Sequence, residues 1–203
     1  MLTESSLTKR ESRKAETRQR LIEQTTSLIG ARGLSTTRTA DVARSAGLSH
    51  GAVFVHFDSR DALVGAVVSS LGQRITDRLH GLIGERAGLG DVLHAHLACI
   101  ADQEAVYAAF LRESRLLPAD VLTRWTGIQS AISTHIAAAS RIEVERGALK
   151  RIPQHLLFNT WIGLVHHYLM NRELFAPGGS VLARCGDELV AHFLSLVRTR
   201  DDI

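Results

Sequence analysis

Apolar residues recur every three or four positions along most of the chain, and no segment alternates as a half-buried strand would. Leu21, Ile22, Thr25, Leu28 and Ile29 mark a first amphipathic helix, which Gly30 and Gly33 bring to a close. Val42, Ala43 and Ala46 mark a short second helix broken by Gly47. Val53, Phe54 and Phe57 give a third its apolar face, with Ser49 placed to cap it. Asp58 or Ser59 caps a long fourth helix with Asp61 in its first turn, and Leu63, Val64, Val67, Val68, Leu71, Ile75 and Leu79 carry its stripe to about Ile83.

The glycines of residues 84–90 predict a loop, and helices are expected at about 91–101 and 103–116, with Pro118 as punctuation. A long pattern from Ala119 to about Arg146 carries Leu122, Trp125, Ile128, Ile132, Ile136 and Ala139 and stops at Gly147. Pro153 fits the first turn of the next helix, which has Leu157, Thr160, Trp161, Leu164 and Tyr168 on one side. After a loop at 176–179, the last helix repeats Leu182, Cys185, Leu189, Phe193 and Leu196 over about 180–199 and reads as apolar on more than one face. The expected class is all-α.

The stretch from Thr39 to Phe57 reads as a helix-turn-helix. Ala43 is small where two helices nearly touch, Gly47 suits a left-handed backbone position, and Leu48 plugs the angle between the helices. Such a motif offers the N-terminal end of its second helix to the DNA major groove. Ser49, His50, Gly51 and Ala52 occupy that end. The small pair allows close approach, and Ser49 and His50 supply hydrogen-bonding groups for phosphates or base edges.

With the amphipathic helix upstream and HFDSRDAL downstream, the run from Thr17 to Leu63 resembles the DNA-binding head of the tetracycline-repressor (TetR) family. The matching positions are Gly33, Thr36 and Thr37, Val42 and Ala43, Ala46 to Ser49, Gly51, Phe54, His56 and Phe57, and Arg60. The resemblance covers roughly the first third of the chain; the remainder matches in helical character alone. It implies double-stranded DNA as partner, with Thr37, Thr39, Ser49, His50, Gly51, Ala52, Phe54, His56 and Arg60 as the contacting set. Two departures bear on mechanism. Phe54 stands where most members carry a Tyr whose hydroxyl meets a phosphate, and His50 where a Lys commonly begins the reading helix. His56 and Arg60 stand where the family faces the backbone. If His50 and His56 meet phosphates, binding tightens as pH falls through the imidazole range.

Length and charge divide the 203 residues. Residues 1–60 hold ten Lys and Arg against six Asp and Glu, whereas residues 61–203 hold fourteen against fifteen. The basic part is the head. Residues 1–15 have almost no apolar content and are expected to form a flexible basic arm, either one in which Lys9, Arg10, Arg13 and Lys14 reach phosphates or the minor groove or a solubilising tail; 16–60 is the DNA-binding domain and 61–203 the helical effector-binding and dimerisation domain. Cys99 and Cys185 are too few and too far apart for a disulfide framework. With no membrane-length apolar run and a polar N-terminus, a soluble cytoplasmic protein is expected.

Ten histidines raise a second reading, a helical metal sensor or small hydrolase using His and Cys in the body. His96 and Cys99 share a helical face, but no His-Glu-x-x-His, paired-Cys or Gly-x-Ser-x-Gly motif is present. No metal, cofactor or catalytic residue is therefore expected. The favoured body is a cavity for a small apolar effector, walled by Tyr107, Phe110, Trp125 and Trp161 with His96, His135 and His166 as polar points. The last two helices carry more apolar surface than one core needs, which predicts a four-helix homodimer interface, and the family resemblance implies the same. The combined expectation is a ligand-responsive transcriptional repressor that binds a pseudo-palindromic operator as a dimer.

Overall fold

The computed structural model describes residues 4–84 and 87–199, with side chains described from Lys9 onward. Residues 1–3 of the expected arm, 85–86 of the expected loop and 200–203 of the body lie outside the described residues. Ten α-helices follow one another among the described residues: α1 Glu4–Arg32, α2 Thr39–Ser45, α3 His50–Phe54, α4 Arg60–Leu82, α5 Leu89–Ala101, α6 Glu104–Glu113, α7 Ala119–Glu145, α8 Gln154–Met170, α9 Arg172–Phe175 and α10 Val181–Val197. A 3-10 turn, Ser114–Leu116, follows α6. The one extended pairing among them is a single bridge between Leu149 and Arg198.

The long α4 is the shared wall, packing against α1 on one side and against α5 and α7 on the other. Its N-cap is Ser59 rather than Asp58, with Ser59 Oγ accepting the Ala62 amide at 3.0 Å. Every residue of the expected stripe from Leu63 to Leu79 is buried. Gly72 is a packing site: a Cβ there would come within 2.8 Å of the Ile128 side chain, so only glycine lets α4 and α7 approach this closely.

Two carboxylates hold helix starts from a distance. Glu104, buried at the head of α6, accepts the Val181 and Leu182 amides at 2.9 and 3.1 Å and the Ser180 hydroxyl at 2.5 Å, which ties α6 to the first turn of α10. Glu143 does the same for the Leu89 amide at the start of α5, at 2.6 Å. In both cases a negative group meets the amides that a helix N-terminus leaves without intrahelical partners.

Several expectations are corrected. The basic stretch up to residue 15 is helical from Glu4, not a flexible arm: α1 carries it outward, with Ser12 bonded to Glu16 and Gln19 to Glu23 one turn on. Leu122 points outward and Val121 takes its place in the core of α7; on α8, Thr160 is exposed and Val165 and Leu169 are buried. The last helix buries one face only, through Leu182, Gly186, Leu189, Val190, Phe193 and Val197, and turns Arg184, Asp187, Glu188 and His192 to solvent, with Leu196 exposed. The short α9, just before the loop at 176–179, has no counterpart in the sequence pattern.

Candidate nucleic-acid interface

Helices α2 and α3 owe their angle to the turn between them. Gly47 takes φ +68°, and the Leu48 amide returns to the Ala43 carbonyl at 2.9 Å, so the chain reverses within three residues. Val42, Ala43, Ala46, Val53 and Phe57 are buried and press the pair onto α1 and α4. With those five turned inward, the outer surface consists of Ser49, His50 and Gly51, with Phe54 44% and Val55 69% exposed. Phe54 therefore leaves the apolar face on which the spacing placed it.

Across this surface His50 Nε2 and Thr39 Oγ1 are hydrogen-bonded at 3.0 Å, joining the first turns of α2 and α3. The His50 ring stands edge-on to Phe54, with centroids 5.3 Å apart. Ser49 occupies the N-cap position in an extended conformation, but its hydroxyl makes no capping bond, contrary to expectation. That hydroxyl is free for an outside partner. Ala52 is half-buried beside it.

Two residues of the expected contacting set are engaged elsewhere, and a third is half-buried. Thr37 is buried and donates its hydroxyl to the Gly33 carbonyl at 2.7 Å, closing the end of α1. Arg60 turns inward, its guanidinium donating to the Leu34 carbonyl at 2.5 Å and the Thr37 carbonyl at 3.3 Å. It holds the loop between α1 and α2. His56 is half-buried with Nδ1 unbonded, and burial first, then the nearby Lys14 and Arg18 charges, lower its pKa below the ordinary imidazole value. Any contribution of His56 to pH-dependent DNA binding thus lies below the range expected of a free imidazole.

Cations missed by motif reading border the same surface. Arg38 is the exposed N-cap residue of α2, and Arg44 is exposed in its last turn, bonded to Asp41. Arg18 of α1 lies 4.8 Å over the Phe57 ring. Residue spacing within α2 carries no sign that its outward positions are the basic ones beside α3; the fold places them there.

In the body, α5, α6, α7 and α8 bring six of the seven expected effector residues into one cluster. Trp161 Nε1 donates to His96 Nδ1 at 3.1 Å, and the Tyr107 hydroxyl is hydrogen-bonded to His166 Nε2 at 3.3 Å. The Trp125 ring packs against Tyr107 at 4.8 Å and Phe110 at 5.4 Å. Burial pushes His96 down to about 3, with His166 adding to the effect, and pushes His166 down to about 4. Both are neutral at neutral pH. Burial also pushes the Tyr107 hydroxyl up. His135 is the exception: it faces His80 of α4 at 6.0 Å, outside the cluster. These side chains pack on one another, and all but His166 are buried. A groove of about 760 Å³ lies between the end of α7 and the start of α8, lined by Arg141, Val144, Arg151 and Ile152 among others. Among the described residues no group of three or more His, Cys, Asp and Glu is placed to hold a metal ion, and no helix is long and apolar enough to cross a membrane.

Against known proteins, residues 21–67 match the family of bacterial regulatory proteins described as the tetR family. The HTH-type transcriptional repressor Rv3405c of Mycobacterium tuberculosis is 40% identical over 60 residues, which are 30% of this chain and 32% of that protein. An HTH-type transcriptional regulator of Mycobacterium bovis, Mb3439c, matches to the same extent. The chain thus spans about a third of the length of the curated relatives it matches. Among solved structures, a TetR-family transcriptional regulator from Agrobacterium tumefaciens superposes with a TM-score of 0.75 at 18% identity, over 92% of this chain and 100% of that one. The ketosteroid transcriptional regulator KstR2 of M. tuberculosis does so with a TM-score of 0.72 at 17% identity, over 90% and 95%. At such identities the likeness is one of fold, and it extends through the body that the sequence match leaves out.

Proposed function

From membership of the tetR family of bacterial regulatory proteins, to which the chain belongs, we propose that this protein is a ligand-responsive transcriptional repressor that binds a pseudo-palindromic operator as a homodimer. The observation that carries the reading is the outward surface of α2 and α3. Ser49, His50, Gly51, Phe54 and Val55 are exposed and have no core duty, and they stand between the basic residues of α1 and α2. Ser49 and His50 offer donors and acceptors to base edges; Phe54 and Val55 offer apolar contact to thymine methyls.

Dimerisation runs through α8 and α10. Helix α8 exposes Leu156 and Met170 on the side away from the core, with Gly163 between them. Two heads held about one DNA turn apart, ~34 Å, read two half-sites. A small apolar effector enters the body around the Tyr107–His166 pair and parts the aromatic side chains packed there. It favours a body geometry that no longer sets the heads on adjacent grooves, so operator affinity falls. A metal sensor or hydrolase is not favoured, since the family and fold are those of transcription regulators.

The test is protection of genomic DNA fragments at ~50 and ~200 mM salt, where phosphate contacts weaken and base contacts persist. A protected pseudo-palindrome preferred at both salt concentrations supports the reading. Absence of a sequence preference overturns it.

A further inference from the structure

Helix α1 runs far beyond the core it serves. From Lys9 onward its first buried residue is Leu21, yet the helix continues back to Glu4, and residues 9–16 are all exposed. From Lys9 to Arg20 that is about 18 Å of helix at ~1.5 Å per residue. A polar, unpacked helix of this length gains little from its own chain, so its outer partner must be sought in its charge.

That charge is one-sided. At 3.6 residues per turn, Arg10, Arg13, Lys14 and Arg18 fall within about 140° of one side of the helix. Glu16 and Glu23 lie on the opposite side, with Glu11 at the border. None of the four cations is paired with a carboxylate among the described residues. The basic side also has a fixed relation to the reading surface. Arg18 packs over Phe57, which follows α3 directly, and Lys14 and Arg18 stand close enough to His56 to disfavour its charged form. The stripe therefore leads away from the reading helix as a rigid continuation of the head.

We propose that α1 is a phosphate-tracking arm that grips duplex DNA flanking each half-site, with Arg10, Arg13 and Lys14, and Lys9 about 40° beyond the stripe, lying along the backbone outside the base pairs read by α3. This rests on the DNA-reading function proposed above and extends the footprint beyond it. With one phosphate per ~3.4 Å of axis on each strand, the arm spans about five phosphates. A helical arm of this kind adds affinity and salt dependence without sequence preference, because phosphate contacts carry no base information.

The test uses the full chain with Lys9, Arg10, Arg13 and Lys14 all changed to Gln, which keeps helix propensity, and a single Arg13→Gln variant. Arg18 is left intact for its packing on Phe57. Two duplexes carry the sequence that the wild type protects, one with native flanks and one trimmed by ~6 bp at each end. On the long duplex the wild type should lose about 100-fold more affinity than the quadruple variant between 50 and 200 mM salt, at a slope of ~0.9 per phosphate contact, and the single variant should lower the slope by ~1. On the trimmed duplex the two proteins should bind alike, and both should keep the same sequence preference. Equal affinity on the long duplex, or an equal loss on both duplexes, overturns the arm while leaving the reading surface standing. A wild type that protects no sequence overturns both. Circular dichroism of the single variant, whose one exposed change leaves the fold in place, keeps the outcome readable if the quadruple variant unfolds.

Discussion

Glu113, the last residue of α6, accepts the amide of Leu34 at 2.8 Å, and its second oxygen accepts that of Ser35 at 2.8 Å. A body helix thus holds the loop that joins α1 to α2. Burial of the carboxyl works against its charge, but the Ser35 and Leu34 donors and the Arg112 charge outweigh it and keep its pKa below the ordinary value. A depressed carboxylate stabilises the fold above the unfolded carboxylate range, and that contribution is lost as pH falls through the lower folded value. Glu113→Ala should cost about 1–2 kcal/mol, a fall of ~2–6 °C in melting temperature at neutral pH, with the difference from wild type shrinking at low pH. A difference that grows on acidification contradicts this role.

The same loop explains why Arg60 is not a simple phosphate contact. Its guanidinium is committed to the Leu34 and Thr37 carbonyls. Arg60→Ala should therefore lower stability by about 1–2 kcal/mol and leave the salt dependence of DNA binding unchanged. A salt slope reduced by ~1 with unaltered melting would return Arg60 to the phosphates.

The buried imidazoles make the body acid-sensitive. His96 is held down to about 3 and His166 to about 4, so the unfolded chain takes up protons first as pH drops below 6.5. Stability is complete above that value and falls toward pH 4, by on the order of 6 kcal/mol for the two together. His96→Gln keeps an acceptor for the Trp161 N–H and should flatten the decline, as measured by thermal unfolding between pH 7 and 4.5. A melting temperature independent of pH across that window in the wild type would exclude this coupling.

On α8, a Cβ at Gly163 meets nothing within 4 Å, and the residue is exposed. Gly163→Glu is compatible with the isolated chain and improves helix propensity by ~0.5–1 kcal/mol, but it places a charge in the middle of the proposed interface. Light scattering should report a monomer, and circular dichroism an unchanged helix content. A dimer of unchanged stability would move the interface off α8.

At the reading surface, His50→Gln removes the ring that bonds Thr39 and packs on Phe54. Selection from random duplexes should show a changed preference at one or two positions of each half-site, worth ~1–3 kcal/mol per base pair. Uniform weakening of every sequence would make His50 a backbone contact instead.

All the described helices but the short α9, the turn at Gly47 and the core stripe of α4 were legible in the residues, because each depends on local periodicity or on a backbone conformation that glycine favours. The family resemblance reached as far as the head, where the spacing of small and apolar residues is dictated by two helices meeting at a tight turn. Side-chain direction was less legible. Phe54 fits an apolar stripe by spacing, yet α3 is five residues long and ends before that stripe can turn back to the core.

What only the tertiary structure decided is which polar groups are used up. Arg60, Thr37 and Glu113 are ordinary surface residue types, and nothing near them in sequence announces that backbone groups of the 33–37 loop will meet them; Arg60 and Glu113 come from 23 to 79 positions away. The aromatic cluster and the separation of His135 from it likewise follow from how α5 to α8 pack. Periodicity determines the face of a helix, but the neighbour that face meets is set by contacts distant in the chain, and those decide whether a histidine or an arginine is buried, bonded or free.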